Sequence, residues 1–288
     1  NKFNSTRSWV CSQLPCFALV LVACGALSLV PNTANAQNSS ISAWDAADFR
    51  VWGYIPYWAT STQITNFATN GMYGHVSDVI YFGGVRPTAT GGLVTTSTGA
   101  QHLSILKNQV TSSGIRLHMS MFEVSGGTTN DVWNSIIANP TYRANFVTNV
   151  KTLLQNNNMQ GFNFDWERPA TDQQWGDYTQ LARELRATIN PLGMEVSVCD
   201  YGSTDSDWDD TALFDAKVYD QLMMMSYHLT ASSSGSYANT KLALTGQGAA
   251  KAFSNDQVAV GFGTWGVGVD PDGTGPLTKP GTVSLQSI

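Results

Sequence analysis

Charge is scarce in this chain. Only 12% of its 288 residues are charged, and acids outnumber bases to give a net charge of −6. An acidic balance argues against nucleic acid or an anionic membrane surface as partner. Cysteine is nearly absent as well: Cys11, Cys16 and Cys24 fall within the first 36 residues, and Cys199 stands alone beyond them. A chain without residues 1–36 therefore forms no internal disulfide and relies on its core, with Cys199 read as a small buried residue. No apolar run reaches the roughly 20 residues that a membrane span needs. No Gly-rich phosphate turn, serine elbow or metal-ligand cluster is present, so no cofactor and no metal are expected. Asp205, Asp207, Asp209 and Asp210 lack the spaced Glu and Gly of a calcium loop and read as a solvated acidic loop.

Aromatic residues, by contrast, are plentiful at 11%. With so little charge they suit either a well-filled core or a neutral ligand with apolar faces, such as a sugar chain.

Residues 1–36 read as a secretory signal. Lys2 and Arg7 precede an apolar run from Phe17 to Val30, and Ala34-Asn35-Ala36 supplies a small-x-small cleavage site. A secreted protein, extracellular or periplasmic, is the expectation. A lipoprotein box ending at Cys24 is the less favoured alternative, because the apolar run continues past it. Residues 37–49 form a short lead, and residues 50–288 carry the domain.

Strand and helix patterns alternate along that domain. Strand signals fall at 51–56, 76–82, 115–122, 160–167, 194–199, 222–227 and 258–262. Helix signals fall at 101–111, 130–138, 142–155, 173–189 and 240–253. Such alternation implies a parallel sheet, and the expected fold is α/β, a (β/α)8 TIM barrel truncated after about seven βα units. No eighth strand is legible after Phe262, so the domain is read as incomplete at its C-terminal end. A doubly wound open sheet is the alternative. The expected oligomeric state is a monomer.

The most informative stretch is Gln160-Gly161-Phe162-Asn163-Phe164-Asp165-Trp166-Glu167. In a strand, Gly161, Asn163, Asp165 and Glu167 share one face while Phe162, Phe164 and Trp166 share the other. Two carboxylates on one face lie about 7 Å apart along the strand rise. At that range one ionised acid disfavours ionisation of the other, so one of them can stay a proton donor near neutrality, which suits Glu167 at the strand end.

This octet resembles the active-site strand of glycoside hydrolase family 18, the chitinase family, whose pattern is Asp-Gly-x-Asp-x-Asp-x-Glu. Gly161, Asp165 and Glu167 match, while Gln160 and Asn163 replace the first and middle Asp. Met225-Ser226-Tyr227-His228 is similar to the family's Met-x-Tyr-Asp, with His228 in place of the Asp. Gly53-Tyr54 resembles the Gly-Tyr pair of the first strand, and Gly261-Phe262-Gly263-Thr264-Trp265-Gly266 the strand-seven segment that ends in an aromatic plus Gly. The family's Ser-x-Gly-Gly on strand three is displaced, reading Ser120-Met121-Phe122-Glu123 with Gly126-Gly127 downstream.

The resemblance implies a hydrolase of β-1,4-linked N-acetylglucosamine polymers, retaining and substrate-assisted. It gives catalytic roles to Glu167, Asp165 and Tyr227, and places Tyr54, Asn163, Met225, His228 and Trp265 against the sugar. The implied partner is an N-acetylglucosamine-containing polysaccharide. An enzyme acting on peptidoglycan or N-linked glycans is one alternative; a chitinase-like lectin that binds without cutting is the other.

Overall fold

A computed structural model describes residues 18–24, 50–122, 129–166, 169, 171–200, 216–224, 253 and 257–265. The strands are β1 (Ala18–Cys24), β2 (Arg50–Pro56), β3 (Asp78–Phe82), β4 (Val85–Pro87), β5 (Leu93–Thr95), β6 (Arg116–Phe122), β7 (Gly161–Asp165), β8 (Glu195–Asp200), β9 (Gln221–Met224) and β10 (Val258–Trp265). The helices are α1 (Ser61–Thr69), α2 (Ser97–Ser113), α3 (Thr129–Ala138), α4 (Pro140–Asn156) and α5 (Asp172–Ile189).

Seven strands run parallel in the order β2, β3, β6, β7, β8, β9, β10, which is the curled sheet of a truncated TIM barrel. β1 lies antiparallel between β10 and β2, with Val22 opposite Trp52 and Ala18 opposite Trp265, and completes the ring. That strand falls inside the apolar stretch 17–30. A run of Ala, Leu and Val satisfies a strand's demand for apolar residues as readily as a leader's, which is why its pairing is not legible from composition.

Period-two alternation sorts the strands as expected. Leu117, Met119, Met121, Phe162, Phe164, Trp166, Val196 and Val198 pack outward in the layer between sheet and helices. Trp52, Ile80, Cys199, Met223 and Ala259 cluster inside the ring, with Tyr54 against them. Among the described residues, strands β6, β7 and β8 bury one face under helices and the other in the barrel, so a polar inward residue must find a partner there.

The N-terminal ends of the strands meet that demand with charge. Asp78, on β3 and fully buried, accepts Arg50 at 2.6 Å, Arg116 at 3.0 Å and the His118 Nε2 at 2.9 Å. Glu195 on β8 holds the same two arginines at 2.8 and 3.3 Å. Burial alone would raise the Asp78 carboxyl, but the hydrogen bonds and charges of His118 and Arg50 hold it well below the ordinary carboxylate range. Gly161 is required one layer up, because a Cβ there would meet the His118 Nδ1 at 2.5 Å.

Local chemistry sets the helix limits. α2 begins at Ser97, earlier than its apolar pattern, because Thr96 caps the Gly99 N–H, and it ends at Gly114 in the left-handed region with φ 73°. Asn139 caps α4 ahead of Pro140, and Thr171 caps α5. α1 escapes the periodicity because it buries only Ile64; a capping box between Thr60 and Gln63 starts it.

Candidate active site

All seven parallel strands deliver their C-terminal ends to one side of the barrel, opposite the Asp78 charge network, and β7 delivers Asp165 there. Its position is fixed from behind. Phe162 and Phe164 pack edge-on at 4.8 Å, Phe164 meets Tyr178 of α5 at 5.3 Å, and Trp166 stacks on Trp133 of α3 at 5.9 Å. With these three aromatics turned outward, the pleat turns Gly161, Asn163 and Asp165 inward. Asp165 is half-buried.

Asn163 is fully buried, and both ends of its amide are engaged by β8. Its Nδ2 donates to the Ser197 Oγ at 2.9 Å, and its Oδ1 accepts from the Cys199 Sγ at 3.3 Å. The Tyr54 hydroxyl lies 3.4 Å from the same sulfur. The structure therefore joins two predicted site residues, Tyr54 and Asn163, through a cysteine expected only to fill space. Cys199 is buried and in no disulfide among the described residues, and it is also the link between β2 and β7. The alternation of Ser197 and Cys199 with Val196 and Val198 is the signal that could have revealed it.

Glu167, Met225, Tyr227 and His228 lie outside the described residues, as do the side chain of Trp265, residues 240–252 of the expected 240–253 helix and the acidic loop 201–210. The geometry thus brings Tyr54 and Asn163 together through Cys199, with Asp165 two residues beyond Asn163 on the inward face of β7. Among the described residues, no group of three or more His, Cys, Asp or Glu could hold a metal ion. No helix among them is long and apolar enough to cross a membrane.

A second polar feature lies at the same end. A cavity of about 470 Å³ opens where the chain leaves β2, lined by Tyr57, Trp58, Arg86 and His102 together with the first residues of α1 and α2. No motif in the sequence marks it.

The model of the glycosyl hydrolases family 18 matches residues 50–262, from the first residue of β2 into β10. The chain belongs to that family. Among solved structures, the family 18 chain resembles the Bacillus cereus spore cortex-lytic enzyme SleL, with TM-score 0.52, 18% identity, and 62% of this chain covered against 40% of that one. It equally resembles the Ostrinia furnacalis Group IV chitinase in complex with allosamidin, with TM-score 0.52, 18% identity, and 62% and 51% covered. The chitinase-like agglutinin RobpsCRA from Robinia pseudoacacia matches with TM-score 0.52, 20% identity, and 64% and 56% covered. The chain thus spans between 40% and 56% of the length of these three proteins. At such identities the likeness shows the fold alone. No curated protein matches the sequence.

Proposed function

We propose that this family 18 chain hydrolyses β-1,4-linked N-acetylglucosamine polymers, chitin or chito-oligosaccharides, by a retaining, substrate-assisted route. The observation that carries the reading is β7. Inside the matched region, it turns Asn163 and Asp165 inward at the C-terminal end of the barrel, and Glu167 follows two residues later in the sequence.

In this mechanism Glu167 gives its proton to the glycosidic oxygen as the bond to the anomeric carbon breaks. The substrate's acetamido oxygen, held by the Tyr227 hydroxyl, forms the new bond to that carbon and yields an oxazolinium ion. Asp165 accepts the acetamido N–H and offsets the developing positive charge. Water then loses a proton to Glu167 and adds to the same carbon, restoring the acetamido group and giving net retention. Tyr54, Met225, His228 and Trp265 line the sugar path. Asn163, held by Ser197 and Cys199, acts as a fixed wall beside Asp165 and cannot take up a proton as the family's Asp can. The acetamido group does the nucleophile's work, which is the exception that family 18 makes to the usual two-carboxylate scheme.

Two other readings have a specific motive: SleL is a spore cortex-lytic enzyme, and the Robinia protein is an agglutinin. An intact Glu167 favours catalysis over a lectin. A panel of chitotetraose, its de-N-acetylated form, peptidoglycan and a chitobiose-core glycan tests the proposal. Cleavage of chitotetraose is expected, with the de-N-acetylated form left uncut because it lacks the attacking oxygen. Equal cleavage of both forms would refute substrate assistance. Binding without cleavage of any member would support the lectin.

A further inference from the structure

Two side chains of β8 hold a residue of the proposed site. Ser197 and Cys199, each 2% exposed, share the inward face of that strand and alternate with the outward Val196 and Val198. Ser197 stands directly beside Asn163 in the parallel ladder. Cys199 is two residues further along β8, as Asp165 is two further along β7, so thiol and carboxylate both belong one layer nearer the mouth than the amide. The two contacts to the amide have opposite polarity. Its Nδ2 donates to the Ser197 Oγ at 2.9 Å, and its Oδ1 accepts from the Cys199 thiol at 3.3 Å. A thiol has one proton. With that proton committed to Asn163, the Tyr54 hydroxyl, 3.4 Å from the sulfur, meets it as the donor. Donation thus runs from Tyr54 through Cys199 to Asn163 and on to Ser197.

That order matters because Asn163 is neutral. An amide has two unlike edges, one donating and one accepting, and without a charge only hydrogen bonds decide which edge faces which neighbour. Asn163 is fully buried, so an edge that loses its partner must find another within the barrel. The next inward residue along β7 is Asp165, whose carboxylate the proposed mechanism reserves for the acetamido N–H.

We infer that Ser197 and Cys199 are positioning residues for the proposed reaction, holding the Asn163 amide so that its NH2 edge stays on Ser197 and off the Asp165 carboxylate. The inference rests on the proposed hydrolysis and adds the residues that keep its acetamido acceptor available. Loosening either edge lets the NH2 group turn toward Asp165 and compete with the acetamido N–H. That competition is felt most in the transition state, where the acetamido group carries developing positive charge. The loss therefore falls on kcat and leaves KM nearly unchanged.

Steady-state kinetics on chitotetraose test this, with Cys199→Ala, Cys199→Ser and Ser197→Ala each made in the full chain alone and in an Asn163→Ala background. Cys199→Ala and Ser197→Ala are each expected to lower kcat about tenfold, the scale of one lost hydrogen bond, with KM changed less than about twofold. Cys199→Ser keeps a donor for the amide oxygen and should hold kcat within about threefold of the parent. In the Asn163→Ala background the same substitutions should change kcat less than about twofold, because the group they act through is gone. Should Cys199→Ala not fold, Ser197→Ala still tests the other edge of the amide. Three results would each overturn the inference and leave the proposed function standing: parent-like kcat in the alanine variants, an equal loss in Cys199→Ser and Cys199→Ala, or an undiminished loss in the Asn163→Ala background. A parent protein that binds but cuts no member of the substrate panel would overturn both.

Discussion

Glu167→Gln is expected to lower chitotetraose turnover by more than about a hundredfold, the scale of a lost general acid. Affinity for the same oligosaccharide should barely change. The amide keeps the shape and one acceptor of the carboxyl but cannot protonate the leaving oxygen. Its neighbour on the strand face, Asp165, is set in place by the outward anchoring of Phe164 and Trp166, and neither contact involves position 167. The fold should therefore be indifferent to the substitution, and the melting temperature unchanged. The measurement is a steady-state kcat together with calorimetric binding. A variant that cuts at the parent rate would show that another group donates the proton. A parent as inactive as the variant, with binding retained in both, would favour the lectin.

The second large effect is on stability and lies at the opposite end of the barrel. Asp78→Asn is expected to destabilise the fold by about 3–5 kcal/mol, the range for removing one partner from a buried ion pair. Asp78 is fully buried between Arg50, Arg116 and His118, and it also accepts the Ser77 hydroxyl at 2.7 Å. An amide offers one acceptor oxygen and turns its NH2 group toward a guanidinium. Among the described residues, Glu195 would then be the one carboxylate left to Arg50 and Arg116.

The pH dependence follows from the direction of the Asp78 shift. Its carboxyl is held below the unfolded value of about 3.9, so its contribution is fully present above that pH. The contribution is lost as pH falls through the lower folded-state pKa. Urea unfolding should therefore show the full deficit at neutral pH, with parent and variant converging only in strong acid. A deficit under about 1 kcal/mol at neutral pH would mean that Glu195 suffices to hold both arginines, well short of the range for a broken buried pair.

Much of this architecture is legible in the residues because the barrel obeys a strict alternation. Arg116, His118 and Ser120 against Leu117, Met119 and Met121 fix the inward face of β6, and the same reasoning fixes β7 through its aromatics. The octet around Asp165 is legible for that reason and for its likeness to a known pattern.

What stayed hidden depends on contacts between distant segments. Arg50 and Glu195 are 145 positions apart, and only ring closure brings them to Asp78. Three-residue strands β4 and β5 are too short for any periodic signal. The Tyr54–Cys199–Asn163 chain links β2, β8 and β7 through single atoms whose meeting is set by strand register. The cavity of Arg86 and His102 assembles from a strand end, a hairpin and two helix starts, and each of these looks ordinary alone.

Everything proposed about catalysis turns on the acetamido oxygen as nucleophile, and the configuration of the first-formed product reports it directly. Proton NMR of chitotetraose digestion, recorded before mutarotation, should show new reducing ends in the β configuration, because two inversions at one carbon restore the starting geometry. New ends appearing first as the α-anomer would mean that water attacks in a single step, and would contradict the roles given to Asp165, Glu167 and Tyr227.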